Sequence, residues 1–436
     1  MNDNKVVISI IIPTHNRKDS LKRALDAISY QSFPLEKLEV IIVADGCTDN
    51  TMEMLHSYAA SFDLFVIEQN GQGAAVARNQ GAAKGRGKIL LFLDDDIEAL
   101  PQLVENHVSV HQQASNRVGI GYLPPVLKSQ KGFFRASLRE WWEHMFIAMN
   151  QPGYRFNYRN LLSGNFSVTA ELFNHIGGFN TDFKCQEDYE LGLRLIQVGA
   201  DFTFVAKAIG YHHEVTDLNR SLVRKFEEGK AVILFSRKYP EVIYTLPLLS
   251  HFVRGYPTYY RNVLKLIFKW PSLADVFARS GRHGLNVLEY FRLRNYWQKL
   301  LDHLLAYWYL QGVAEAAGSL STLTALLQNN TGTPKENESV LELDIMEGLE
   351  SAEQKIDEFR PTSLKITYGK YFIGQVDHKN GYERLRGSHL RLLLAKDFAY
   401  NLLQIMTFVK LTDATNKLNL EDQINKTENK AYFQQV

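Results

Sequence analysis

ILLFLDDDIEALP, residues Ile89 to Pro101, runs from an unbroken apolar stretch into three consecutive acids. A short apolar run closed by turn residues is the pattern of a strand buried on both faces, as in a parallel sheet. Asp94, Asp95 and Asp96 then stand at its carboxyl end. Adjacent carboxylates repel one another, and burying even one without a partner costs on the order of several kcal/mol. A positive group is therefore expected beside them. A divalent cation is the leading choice, because oxygen-rich sites suit magnesium or manganese, which usually also hold substrate phosphates. An isolated acidic triplet reads more simply as a solvated turn or a helix N-cap. Its position after a central strand is what favours a site.

Working outward, Val6 to Ile12 is a β-branched run ended by Pro13, and Leu21, Ala24, Leu25 and Ile28 recur at helical spacing. Leu38 to Val43 reads as a second buried strand, followed by the Asp45-Gly46 turn and a helix start at Asn50 with Glu53 three residues later. Phe62 to Ile67 reads as a third strand, and Ala74 to Ala83 as a helix after Gly71 and Gly73. Leu100, Leu103, Val104, His107 and Val108 mark another helix. Strands alternating with helices imply right-handed crossovers and an α/β fold with a mostly parallel central sheet. Ligands of such sheets bind beyond the carboxyl ends of the strands. Thr14-His15-Asn16, Asp45, Arg78 and Asp94 to Asp96 are thus expected to converge on one edge.

Further along, residues 119–210 are rich in aromatics and glycine, with a helix expected at Ala170 to Ile176. In CQEDYELGLRLIQVG, Leu191, Leu195 and Val198 mark one helix face, with Glu187 and Asp188 at its start. The helix dipole stabilises carboxylates there, so capping is the plain reading of that pair. The catalytic domain is expected over 1–235 and a helical, basic and aromatic extension over 236–328. A polar and acidic linker should follow over 329–360. A small C-terminal α+β unit is expected over 361–412, with a hairpin from Leu364 to Val376 and an apolar helix from Leu390 to Phe408. A mobile polar tail should occupy 413–436. Trp308 to Leu327 comes nearest to the run of about 18 apolar residues that a membrane span requires, but Gln311, Glu315 and two glycines interrupt it, so it reads as a packed helix.

The 436 residues are 45% hydrophobic and 22% charged, the composition of a globular protein with two or three domains. The net charge of +1 carries no bias toward nucleic acid. Cys47 and Cys185 are too few for a disulfide framework or a cysteine zinc site, and are expected to be reduced in the cytoplasm. MNDNKVVISIIIPTHNR has no signal-peptide pattern, so Asn165-Phe166-Ser167 reads as a chance glycosylation match. NGQGAAVARNQGAAKG, Asn70 to Gly85, has Val76 where a dinucleotide fingerprint needs its third glycine, and it follows the third strand rather than the first. No GxxxxGK[ST] loop occurs.

Six motifs then occur in order. They are Ile11-Ile12-Pro13-Thr14-His15-Asn16, Val43-Ala44-Asp45-Gly46-Cys47-Thr48-Asp49, Ala77-Arg78-Asn79-Gln80-Gly81, Phe92-Leu93-Asp94-Asp95-Asp96, Gly177-Gly178-Phe179-Asn180 and Gln186-Glu187-Asp188-Tyr189-Glu190-Leu191. Each is weak alone; together, over about residues 5–235, they resemble glycosyltransferase family 2. That resemblance implies a GT-A fold and a nucleotide-sugar donor. It implies that Pro13, Thr14, His15, Asn16 and Asp45 hold the base and ribose, with Arg78 near the donor and Asp95 toward the ribose. Asp94 and Asp96 match the ends of the DxD signature, which holds Mn2+ or Mg2+ on the donor diphosphate. Asp188 matches the catalytic base. In Tyr211-His212-His213-Glu214, His212 rather than His213 is favoured as the histidine that completes the metal shell. Two departures stand out: Ala44 replaces the first of two acids often found in the second motif, and His15 stands where an aromatic residue is common. Nothing downstream of 235 transfers.

The resemblance thus implies a metal-dependent inverting transfer to an acceptor hydroxyl, expected in polysaccharide or glycolipid synthesis. The cation would act as a Lewis acid on the leaving diphosphate, and Asp188 would take the acceptor's proton. Arg194 reads as a structural or phosphate-facing cation. RGYPTYYRNVLKLIFKW, residues 254–270, sets Lys and Arg beside Trp, Tyr and Phe. It reads equally as a packed helix or as a surface for anionic lipid. The second reading would place the protein peripherally at the inner face of the membrane, with a glycan or lipid-linked acceptor. A sugar-nucleotide pyrophosphorylase would show a GxGTR-like loop where this chain has PTHNR. Asp94, Asp96 and Asp188 together argue against a non-catalytic relative.

Overall fold

The computed structural model describes residues 5–114, 116–126, 132–246, 258–328 and 339–417. The start of the basic aromatic segment (254–257), much of the polar linker (329–338) and the terminal residues 418–436 lie outside the described residues. The chain forms two compact units. The larger comprises 1–150, 156–335 and 380–383, and the smaller 151–155, 336–379 and 384–436.

In the larger unit, strands and helices alternate as β1 (Ile8–Thr14), α1 (Lys18–Ile28), β2 (Leu38–Asp45), α2 (Thr51–Ser57), β3 (Asp63–Gln69), α3 (Ala74–Lys84) and β4 (Ile89–Leu93). There follow β5 (Ile97–Ala99), α4 (Leu103–Gln113), β6 (Arg117–Tyr122), α5 (Phe133–Met149), β7 (Asn165–Thr169), α6 (Ala170–His175), α7 (Glu187–Gln197), β8 (Asp201–His212) and α8 (Leu218–Lys238). The eight strands form one sheet in the order β3-β2-β1-β4-β7-β6-β8-β5. β3, β2, β1 and β4 run parallel, as do β6 and β8, while β7 and β5 run antiparallel to their neighbours. This is the mostly parallel α/β sheet that the alternation predicts. Ile8, Ile10, Ile11, Ile12, Leu91 and Phe92 are fully buried, as strands covered on both faces require. Phe92 stacks on Phe166 of the neighbouring strand, with ring centroids 4.8 Å apart.

Pro13 does not end β1. Its partner is Val43 of β2, beyond the last residue paired with β4, where the ladder demands no second donor. At the start of α2 the capping acceptor is Asp49, which takes the Thr51 N–H at 3.1 Å; Asn50 makes no side-chain cap. Leu191 and Leu195 of α7 are buried, but Val198 is exposed because the helix has already ended.

The extension continues as α9 (Thr258–Lys269), α10 (Pro271–Tyr290), α11 (Arg294–Ala317) and α12 (Leu320–Gln328). The apolar run Trp308 to Leu327 is therefore two helices, parted at Gly318, whose φ of +74° only glycine adopts readily. The smaller unit carries a three-stranded sheet, β11-β10-β9, from β9 (Val340–Asp344), β10 (Ser363–Tyr368) and β11 (Tyr371–Val376). β10 and β11 form the expected hairpin. Leu343, Ile356, Leu364, Ile366, Ile373 and Leu390 fill its core, with helix α13 (Leu349–Phe359) contributing Ile356. The apolar stretch Leu390 to Phe408 is divided between α14 (Gly387–Lys396) and α15 (Ala399–Lys417), which meet at 82°. Among the described residues, no single helix is long and apolar enough to cross a membrane; this bent pair passes on length and composition alone.

Candidate active site

Parallel strands put their carboxyl ends on one edge, and the polar residues that follow β1, β2 and β4 meet there. The acids after β4 are compensated first by arginine. Arg78, on α3 and only 4% exposed, donates from Nη2 to Asp94 Oδ1 at 2.8 Å and from Nη1 to Glu187 Oε1 at 2.9 Å. Arg17 donates from Nη1 to both Asp95 Oδ1, at 3.0 Å, and Asp96 Oδ2, at 2.7 Å. Thr14 Oγ1 donates to Asp95 Oδ2 at 2.7 Å. Burial dominates at Asp95 and pushes its carboxyl up to about 6, against the pull of Arg17 and Thr14. Burial also acts on Asp96, but His212 and Arg17 outweigh it and hold that carboxyl below the usual value.

Asp94, Asp96, His212, Asp188, Arg220 and Arg224 line a cavity of about 260 Å³. His212 Nε2 stands 3.6 Å from Asp96 Oδ1, and the Trp142 ring meets its imidazole edge-on at 5.4 Å. His213 points elsewhere, with Nε2 2.6 Å from Glu98 and Nδ1 2.9 Å from Arg23. Asp188 opens α7. Burial and then the neighbouring Glu187 push its carboxyl up to about 7, with Arg224 and Arg78 pulling the other way. Gly164 lies against Asp94: a Cβ there would stand 3.0 Å from Asp94 Oδ2.

A wider cleft of about 970 Å³ is lined by His15, Asn16, Arg17, Arg135 and Arg220, so Arg17 and Arg220 border both spaces. Asp45 is buried behind His15, whose Nδ1 stands 2.5 Å from the Asp45 carbonyl oxygen, and its side chain orders the loop after β3. Its carboxylate accepts from Gln69 Nε2 at 2.7 Å, Gln72 N at 2.6 Å and Gly73 N at 2.7 Å. Gly46 makes this turn possible: its φ is +65°, and a Cβ there would meet Gly71 N at 2.9 Å.

Residues 9–177 match the family model "Glycosyl transferase family 2", and residues 143–217 match "N-terminal domain of galactosyltransferase". Glycosyltransferase AglE of Haloferax volcanii is 36% identical over 232 residues, 52% of this chain and 73% of its own length. The chain belongs to glycosyltransferase family 2. Validoxylamine A glucosyltransferase of Streptomyces hygroscopicus subsp. jinggangensis is 32% identical over 48% of this chain, which spans only 56% of that relative. Among solved structures, the mannosyltransferase PcManGT of Pyrobaculum calidifontis, in complex with GDP-Man and Mn2+, aligns over 70% of this chain and 86% of its own. The TM-score is 0.48 and the identity 18%.

In this family 2 chain the sequence-predicted residues divide by depth. Asp94, Asp96, Asp188 and His212 reach the inner cavity, and His15 and Asn16 reach the outer cleft. Thr14, Asp45, Arg78 and Asp95 are buried behind them, and Pro13 continues β1. Arg194 is structural: it pairs with the fully buried Glu190 and donates to the carbonyls of Ile176 and Gly178 at 2.5 and 2.7 Å. Sequence reading missed Arg17, Arg220, Arg224, Trp142 and Gly164. Arg17 was in view as the end of PTHNR, and Arg220 and Arg224 stand at i,i+4 just after the YHHE segment. Nothing local singles out Trp142.

Among the described residues, no group of three or more His, Cys, Asp or Glu side chains is gathered tightly enough to hold a metal ion alone. Yet Asp96 Oδ1 is buried with no hydrogen-bond partner among the described residues, His212 turns Nε2 toward it at 3.6 Å, and Asp94 shares their cavity. Carboxylate oxygens with one imidazole form a donor set suited to manganese or magnesium, and a cation that keeps oxygen ligands from phosphate needs few from protein. The set fits, provided that a diphosphate supplies the remaining ligands.

Proposed function

We propose that this chain transfers a sugar from a nucleotide-sugar donor to an acceptor hydroxyl with inversion at the anomeric carbon, in the assembly of a polysaccharide or glycolipid. The observation that carries the reading is the shared wall on which Asp94, Asp96 and His212 face the same cavity as Asp188. The outer cleft, bordered by His15, Asn16, Arg17 and Arg220, has room for the nucleotide. Asp45 acts on the nucleotide through His15, which its carbonyl holds, and Asp95 through its hold on Thr14 and Arg17.

The acceptor hydroxyl approaches the anomeric carbon opposite the leaving diphosphate. Its oxygen forms the new C–O bond as the bond to the diphosphate breaks, and its proton passes to the Asp188 carboxylate. A carboxyl raised to about 7 is basic enough to accept that proton and still substantially ionised near neutral pH. Arg17 and Arg220 set fixed positive charge between the two spaces, where the diphosphate would lie. A divalent cation held by Asp94, Asp96 and His212 would add Lewis-acid neutralisation of the departing charge.

The test is a donor screen. The full chain is mixed with manganese or magnesium and a panel of UDP-, GDP- and dTDP-sugars, and binding is read as a rise in melting temperature. A metal-dependent shift with one donor, absent in Asp96→Ala, supports the reading. No shift with any donor, in folded protein, assigns the chain to a non-catalytic relative or to a donor outside the panel.

A further inference from the structure

Helix α10 carries three different faces. Ala274, Ala278 and Leu285 are buried, and Gly281 packs on Leu304 of α11. On a second face, Asp275 accepts from Tyr307 Oη at 2.6 Å and Gln311 Nε2 at 3.0 Å, and Arg282 bonds Asn219. The third face is largely apolar and uncovered among the described residues. Leu273, Val276, Phe277 and Val287 recur along it at helical spacing and are all exposed, Phe277 by 63%. Trp270 extends the stripe at one end, exposed by 53%. Tyr290 and Phe291 extend it at the other, exposed by 81% and 63%.

The exposed charges that α9 and α10 themselves set beside this stripe are cationic; across from Arg279, Asp217 of the neighbouring segment lines a shared pocket. Lys265 and Lys269 of α9 are exposed, while that helix buries Leu264 and Ile267. The Lys269 ammonium lies 5.9 Å from the Trp270 ring centroid. Arg279 and Arg292 flank the far side and are exposed. The acids of this region are turned inward: Asp275 holds Tyr307 and Gln311, and Glu289 accepts the Phe133 N–H at 2.9 Å. A large apolar patch needs an occupant. Aromatic side chains ringed by cations match the boundary of an anionic bilayer, where rings sit at headgroup depth and Lys and Arg meet the phosphates.

We propose that the α10 face from Trp270 to Phe291 docks this protein on a membrane surface carrying anionic lipid. The proposal is independent of the donor chemistry. It sets the apolar contact on α10, because α9 packs Leu264 and Ile267, and keeps Lys265, Lys269 and Trp270 of the 254–270 segment at the rim of that face.

The test is co-sedimentation of the full chain with vesicles of phosphatidylcholine, with or without phosphatidylglycerol. Pelleting is expected only with the anionic vesicles and should weaken at high salt. Phe277→Asp should reduce it by about tenfold or more, since a ring that the bilayer would bury is exchanged for a charge. Lys265→Glu with Lys269→Glu, both on a solvent face, should reduce it by about tenfold without touching the core, which covers the case in which Phe277→Asp fails to fold. Wild-type protein that stays in solution with anionic vesicles overturns the proposal, as does undiminished pelleting of the folded variants. A concentration-dependent dimer, abolished by Phe277→Asp in protein that ignores vesicles, would instead assign the face to a second copy of the chain.

Discussion

Arg78 and Asp94 form an ion pair of 2.8 Å in which the arginine is buried and the aspartate opens toward the cavity. Through its other nitrogen, Arg78 also ties β4 to Glu187 at the start of α7. Arg78→Ala should therefore destabilise the protein by about 2–3 kcal/mol, below the fully buried limit because Asp94 can rehydrate. Denaturant melts would measure it. A change under about 0.5 kcal/mol, the range of ordinary surface substitutions, would mean that the pair is dispensable.

Asp188→Asn keeps the size of the side chain and removes the proton acceptor. Turnover should fall by roughly 10²–10⁴-fold, while the donor-dependent thermal shift persists. Near-normal turnover would exclude Asp188 as the base.

The pH dependence follows from the same carboxyl. Only its ionised form accepts a proton, so kcat/KM should fall about tenfold per unit as pH drops below about 7. Glu187 raises Asp188, so Glu187→Gln should move that limb to lower pH. A profile flat from pH 5 to 8 would contradict the assignment.

His212 and His213 offer a matched comparison. His212→Ala should raise the manganese concentration needed for the donor shift by about tenfold or more, since ligand and near-ligand changes commonly cost that much. His213→Ala, whose ring is held by Glu98 and Arg23, should leave the metal titration unchanged. Equal effects would remove the distinction.

Two glycines test the packing of α8 on α11. A Cβ on Gly229 would lie 2.0 Å from Tyr309 O, and one on Gly312 1.9 Å from Phe226 O. Intrinsic propensity favours alanine in a helix by about 1 kcal/mol. The backbone clash should reverse that sign, so each Gly→Ala change is expected to destabilise by roughly 1–3 kcal/mol. A raised melting temperature would show that the helices can separate without cost.

Much of this molecule was legible in its sequence. The buried strands β1, β2 and β4 and their helices follow from local periodicity, because a strand or helix exposes its pattern within a few residues. The meeting of the residues that follow β1, β2 and β4 at one edge follows from parallel topology, whereas Asp188 entered only through the resemblance that the ordered motifs carry. What the tertiary structure alone decided is partner choice. Arg17 approaches Asp96 from 79 positions away, and Arg78 reaches Glu187 across 109. It also decided which histidine faces the cavity: adjacent residues at a strand end point to opposite sides, and only the neighbours on each side tell them apart. The same reason explains the exposed face of α10. Its apolar stripe looks like core in sequence, and only the packing of α11 against the opposite face shows that nothing among the described residues covers it.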